Sequence, residues 1–243
     1  IKTDDDQITA LTELYQGLGV KKIHVKESLR ITGLEEKNIE NYDMQDSKKF
    51  STQLRKISKP TLIVANKIDV NGADRNFERL RERYNDTIVV PASADSELTL
   101  RRAEQKNLIR YSPGSEQFDI LNTDELNQKQ KDALDFISKD IMGEYMRTGV
   151  QFAINMTVFK LLKMNSIYPV ADPENLSDKK GRVLPDLVLL KDGATVVDLA
   201  KEVHSDLVKG LLYAKDLRYN LRIPINYQLR DRDVICLISA SKK

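Results

Sequence analysis

The sequence predicts an α/β fold in which helices cover a parallel sheet, followed by a smaller α+β unit. Three observations lead there. Two uninterrupted apolar segments, TLIVA at 61–65 and TIVVPASA at 87–94, read as strands. Between them lies a charged amphipathic stretch, Asp74 to Tyr84, which reads as a helix. Strands that are apolar throughout and joined through helices belong to a sheet covered on both faces. The third observation is a change of texture after Ile167, where Pro169, Pro173, Gly181 and Pro185 crowd one region. That region reads as a linker or the loop-rich start of a new unit.

The remaining elements follow in order. Ile8, Leu11, Leu14, Tyr15 and Leu18 recur at helical spacing over residues 7–18. A second helix runs from Ile23 to Leu29 and closes at Gly33. A polar stretch, Glu35 to Asp46, precedes a third helix through Phe50, Leu54 and Ile57, which Pro60 ends. Beyond the second strand, helices are expected at 96–109, at 124–142 with Thr123 as N-cap, and at 149–164. In the last unit DLVLL is a strand, Thr195–His204 a short helix, and GLLYAKD and DVICLIS strands. This places the last domain boundary near residue 166, an α+β arrangement in under about 80 residues.

Composition excludes several classes. The 243 residues are 40% hydrophobic and 31% charged, enough apolar mass for a packed core. A net charge of +2 gives no global attraction to nucleic acid, DNA included, or to membrane. The apolar runs are strand-sized, far short of a membrane span. The single cysteine, Cys236, lies in the apolar run VICLI and reads as a small buried hydrophobe in a reducing, cytoplasmic compartment.

The chemistry sits at a strand end. TLIVA finishes in Asn66, Lys67, Ile68 and Asp69, and the next strand finishes in Ser93 and Ala94. In open α/β sheets ligands bind beyond the carboxyl ends of the strands. A carboxylate there can accept two hydrogen bonds from guanine, from N1–H and the 2-amino group, whereas adenine offers neither. Charge-assisted paired bonds are strong, and a carboxylate left without donors is penalised, so adenine is rejected as well as guanine accepted. The Lys67 stem can lie along the base, Asn66 can donate to it and pin the neighbouring loop, and backbone N–H groups near Ala94 can meet O6. The plainer reading of these residues is a solvated helix-capping turn.

A phosphate cradle, Gly-x-x-x-x-Gly-Lys-Ser/Thr, does not occur in the sequence. Gly17-Leu-Gly19-Val-Lys21 has the wrong spacing. Asp140–Gly143 and Asp178–Gly181 match Asp-x-x-Gly but follow the base motif, where a metal-sensing motif would precede it. The chain starts Ile1-Lys2-Thr3, so the expectation is the base-recognition half of a nucleotide site, without the phosphate and metal half. As it stands it is expected not to hydrolyse GTP.

These residues carry a family resemblance. RKISKPTLIVANKID, IVVPASADSELTLRRA, TGVQFAINMTVFKLL and the final LPDLVLL…DVICLIS segment resemble the C-terminal portion of archaeal YchF-type, Obg-related GTPases. His-Ser-Asp-Leu-x-x-Gly at 204–210 is similar to a TGS domain. The resemblance implies part of a P-loop-type GTPase domain plus a small β-grasp domain. It assigns 1–49 to the end of a helical insertion, 50–165 to the C-terminal half of the GTPase domain and 166–243 to TGS. It implies GTP or GDP at Asn66, Lys67, Asp69, Ser93 and Ala94, with Mg²⁺ only alongside the missing N-terminal half. It also implies a ribosome or RNA partner.

Arg218, Arg222, Arg230 and Arg232, near Tyr213, Tyr219 and Tyr227, could contact RNA; Asp216, Asp231 and Asp233 interleave them, as on a mixed-charge surface. His204 reads as a helix-capping residue. No cluster has metal-ligand spacing. Two function classes follow: a nucleotide-dependent switch whose catalytic half lies elsewhere, or a non-enzymatic RNA- or ribosome-binding module with a vestigial base pocket.

Overall fold

The computed structural model describes residues 4–178 and 180–240. Ile1–Thr3, and Lys179 within the Asp178–Gly181 pattern, lie outside the described residues. The chain forms two compact units divided after Gly149.

The first unit opens with helices α1 (Asp4–Leu14), α2 (Lys22–Thr32) and α3 (Met44–Ser58). They share a core of Leu11, Val25, Leu29, Leu34, Phe50 and Leu54. Helix α1 stops earlier than its apolar spacing suggests, and Leu14 and Leu18 are exposed. Strand β1 (Ile63–Asn66), helix α4 (Ala73–Arg83), strand β2 (Val89–Ala92) and helix α5 (Ala94–Gln105) follow, the strand–helix–strand–helix order expected. β1 and β2 are parallel and in register, Ile63 opposite Val89 through Asn66 opposite Ala92.

Then comes a two-residue ladder, β3 (Ile109–Arg110) with β4 (Asp119–Ile120), too short to leave a periodic signal. The helix expected at 124–142 starts later, as α6 (Gln128–Phe136). Its cap is Asn127, whose side chain accepts from the Gln130 amide while Gln130 answers to the Asn127 amide. Thr123 instead begins a single 3₁₀ turn. A π-helical turn, 137–142, carries Asp140 and leads into α7 (Gly143–Tyr145).

The second unit begins with α8 (Val150–Asn155), which continues as a π-helical turn over 156–161. Strand β5 (Met164–Val170) comes next, where the Pro-rich texture suggested a linker. Pro169 is tolerated because β5 changes partners: Met164–Ile167 pair antiparallel with β6 (Val188–Lys191), and Tyr168–Val170 pair parallel with the last strand. Proline therefore falls where one of its two neighbours has ended. Helices α9 (Val196–Val203) and α10 (Ser205–Gly210) and strands β7 (Leu211–Asp216), β8 (Leu221–Ile223) and β9 (Val234–Ser239) complete a mixed sheet ordered β6-β5-β9-β7-β8. Ile167, Leu190, Leu199, Ala214 and Ile235 fill its core.

Cys236 is buried as expected and its thiol faces the Ala171 carbonyl. His204 ends α9 and caps α10, its Nδ1 accepting from the Asp206 amide at 3.2 Å. No described helix is long and apolar enough to cross a membrane.

The α9 start has a pH consequence. Asp198 accepts from the Thr195 amide at 3.0 Å and its hydroxyl at 2.9 Å, and pairs with Lys201. The Thr195 amide, then the Lys201 ammonium, hold its carboxyl down at about 2. A depressed folded value stabilises above the ordinary value and is lost on acidification, so this contribution fades between about pH 4 and pH 2. Asp198 is 43% exposed, so the expected cost of Asp198→Asn at neutral pH is only about 1 kcal/mol. Urea unfolding across that window will show a flatter pH dependence in the variant.

Candidate base-recognition site

Parallel, in-register pairing brings the ends of β1 and β2 to one level. Pairing continues past the strands, the Ile68 amide donating to the Ala92 carbonyl at 3.1 Å. Asn66 is the last residue of β1, and Lys67 adopts a left-handed conformation with φ 67°. That turn drives Ile68 inward, where it is buried, and leaves Lys67 exposed and Asp69 half-buried. Left-handed geometry at a lysine costs energy and clusters at functional sites. The N-cap of α4 is Gly72, so Asp69 does not cap that helix. Among the described residues, neither the Lys67 ammonium nor the Asp69 carboxylate has a hydrogen-bond or ion-pair partner.

The second tip is held firmly. Ser93 is fully buried, and its Oγ accepts from the Ser96 amide at 3.1 Å and donates to Ser96 Oγ at 2.8 Å. It therefore caps α5. Asn66 Oδ1 accepts from the Ala94 amide at 3.1 Å, fastening the two tips across 28 residues of chain. With Ala94 and Ser96 so engaged, the Asp95 amide is the early α5 donor that has no acceptor among the described residues. The structure thus brings Asn66, Lys67, Asp69, Ser93 and Ala94 together.

Behind this turn runs a segment that sequence reasoning missed. Ser93 donates its amide to the Thr148 carbonyl at 2.8 Å. Gly149 has φ 85°, and a Cβ there would lie 2.0 Å from the Pro91 carbonyl oxygen. A glycine after a polar run gives no hint in sequence that a strand end lies against it.

The four arginines separate into two settings. Arg218 pairs with the fully buried Asp233, which also accepts from the Arg230 amide at 2.7 Å. Arg232 lies in a left-handed turn beside Asp231, 3.6 Å away. Arg218, Arg230 and Arg232 thus surround an acidic turn. Arg222 instead lies on β8, its guanidinium 3.8 Å from the Tyr213 ring centre. Among the described residues no cluster of His, Cys, Asp or Glu could hold a metal ion.

Comparison with known proteins decides the family. Residues 64–172 match the family model for the Obg-like GTPase YGR210-like, G4 motif-containing domain, and residues 176–239 match the TGS domain. The chain thus carries a G4 motif-containing domain of the Obg-like GTPase family followed by a TGS domain. It is 39% identical over 235 residues to an uncharacterized GTP-binding protein, MJ1332, of Methanocaldococcus jannaschii, covering 97% of this chain and 58% of that protein. It is 27% identical over 172 residues to an uncharacterized GTP-binding protein of Schizosaccharomyces pombe, C428.15, covering 68% of this chain and 42% of that one. A crystal structure of a GTP-binding protein from Pyrococcus horikoshii OT3 is similar at a TM-score of 0.73 and 34% identity, over 96% of this chain and 61% of that one. The chain therefore spans about three-fifths of these archaeal relatives. The family match begins within β1, so Asn66–Asp69 and Ser93–Ala94 lie inside it.

Two outcomes are expected. Gly149→Ala combines a positive φ with a backbone clash and should lower stability by about 3 kcal/mol, read by thermal denaturation. Arg218→Ala leaves a buried carboxylate without its cation and should cost about 3 kcal/mol, read by urea unfolding.

Proposed function

We propose that this chain supplies the base-recognition half of a guanine-nucleotide switch. The observation that carries the reading is the Asn66–Ala94 bond, which fastens the Asn-Lys-x-Asp turn to the Ser-Ala turn at 3.1 Å. It sets a half-buried carboxylate with no protein partner opposite an amide-bearing helix start. A guanine ring between them meets Asp69 with N1–H and its 2-amino group, and meets the Asp95 amide with O6. The Lys67 stem covers one face of the base. The exposed Asn66 amide nitrogen remains able to donate to the ring.

Phosphate binding and hydrolysis belong to residues this sequence does not contain, so the chain alone is proposed to be non-catalytic. Residues 1–49 are assigned to the end of a helical insertion, 50–165 to the C-terminal half of the GTPase domain and 166–243 to the TGS domain. The buried lone cysteine supports a reducing, cytoplasmic location.

The TGS unit is proposed as the ribosome- or RNA-contacting part. Arg222 stacked on Tyr213 supports this, since guanidinium and aromatic surfaces suit phosphate and base contact. Arg218, by contrast, holds Asp233 and serves the fold. Salt-sensitive binding of single-stranded RNA by the full chain, reduced by Arg222→Ala, is the corresponding measurement.

The decisive test is base preference. Asp69→Asn replaces an acceptor by a donor, which mismatches the guanine 2-amino group and suits the C2 oxygen of xanthine. Affinity for GDP should fall roughly 100-fold while affinity for XDP rises. Isothermal titration with GDP, XDP and ADP reads this directly. Unchanged GDP preference in the variant would remove Asp69 from its assigned role.

A further inference from the structure

A buried polar network lies behind the Ser93–Ala94 turn, and base recognition makes no direct use of it. Glu97, Tyr111 and Thr148 are all buried. One Glu97 oxygen, Oε2, accepts from Thr148 Oγ1 at 2.6 Å and from the Tyr111 hydroxyl at 2.8 Å. Arg101 approaches the other, Oε1, at 3.3 Å from the solvent side. The backbone closes a ring: the Ser93 amide donates to the Thr148 carbonyl at 2.8 Å, and the Glu97 amide donates to the Ser93 carbonyl at 3.1 Å. Ser93 is therefore held at its N–H by Thr148 and at its C=O by Glu97, and the Thr148–Glu97 side-chain bond joins those two residues.

Capping does not need this. Ser93 Oγ already meets the Ser96 amide. Filling space does not need it either, because a buried carboxylate is costly unless donors surround it, and an apolar residue would pack more simply. A charged ring does provide direction. Its bonds are short and charge-assisted, and they tie the turn to a segment 51 residues further on. The Tyr111 hydroxyl is pushed up to about 12, by burial first and by Glu97 second, so it stays a donor.

We propose that Glu97 is a positioning residue for base recognition: through Thr148 and Tyr111 it sets the tilt of the Ser93–Asp95 turn, and so the aim of the first α5 amides at a purine 6-oxo group. The proposal rests on the guanine reading of the two strand tips. It divides specificity between them. The Glu97 ring governs the 6-oxo preference, which guanine and hypoxanthine share, and Asp69 governs the 2-amino group, which hypoxanthine lacks. The ligand class of the turn alone is the 6-oxopurine nucleotides.

The test measures dissociation constants of the full chain for GDP, IDP and ADP in Glu97→Ala, Thr148→Val, Tyr111→Phe and Glu97→Gln. Thr148→Val and Glu97→Ala should weaken GDP and IDP by the same factor, roughly 10-fold, and leave ADP unchanged. Tyr111→Phe should do so to a smaller extent. Glu97→Gln keeps an acceptor oxygen for both hydroxyls and should recover most of the loss. Asp69→Ala should instead narrow the gap between GDP and IDP. Thr148→Val and Tyr111→Phe conserve shape, so they keep the test open if Glu97→Ala does not fold. Folded Thr148→Val and Tyr111→Phe chains with wild-type affinities for GDP and IDP would overturn the proposal, as would a loss confined to GDP. A wild-type chain with no preference for GDP and IDP over ADP would overturn the underlying guanine reading, and the positioning role with it.

Discussion

The hydrogen bond from the Ala94 amide to the Asn66 side chain is the constraint on which the candidate site depends. Parallel pairing of Ile63–Asn66 with Val89–Ala92 brings two strand tips to one level, but pairing ends at the tips. Beyond them, an amide side chain replaces the ladder and holds two turns of different shape together. One turn is a left-handed lysine that buries Ile68 and leaves Asp69 half-buried. The other is a capped helix start. Their juxtaposition is what the proposed reading of a planar ring from two edges requires.

Both units contain a buried carboxylate that joins distant segments. Glu97 links α5 to Thr148, and Asp233 links the turn before β9 to Arg218. A buried charge tolerates few arrangements, because each oxygen must meet a donor. Among the described residues no fully buried side-chain nitrogen or oxygen lacks a hydrogen-bond partner. Such carboxylates favour one geometry over nearby alternatives, which apolar packing alone does less well. Around Asp233 the effect is to draw Arg218 into the fold, leaving Arg222 and its tyrosine as the better-placed surface pair.

The two units therefore divide the chemistry. The first holds the proposed base-recognition turn, with the Glu97–Thr148–Tyr111 network behind it. The second is a mixed sheet whose strand β5 serves two neighbours in turn, antiparallel then parallel. That change of partner accounts for a proline inside a strand, and for a strand whose sequence reads as a linker.

The sequence by itself determined the α/β order, the position of the base motif and the family. The apolar runs do form strands, but β1 is not covered on both faces as such a run suggests, since Val64 is 46% exposed. It is the position of Asn-Lys-x-Asp at the strand end, with Ser-Ala ending the next strand, that points to base recognition. The sequence also marked Cys236 as a buried hydrophobe. Tertiary structure alone decided what supports that motif. Thr148 and Gly149 leave no periodic or compositional signal, since their roles are a carbonyl offered to Ser93 and a missing Cβ against Pro91. The fate of Arg218 was equally hidden, because charge pattern does not say which arginine a buried aspartate will take. Local pattern records which face of an element is apolar. It does not record contacts between residues 51 positions apart, such as the Thr148–Glu97 bond that lies behind the site.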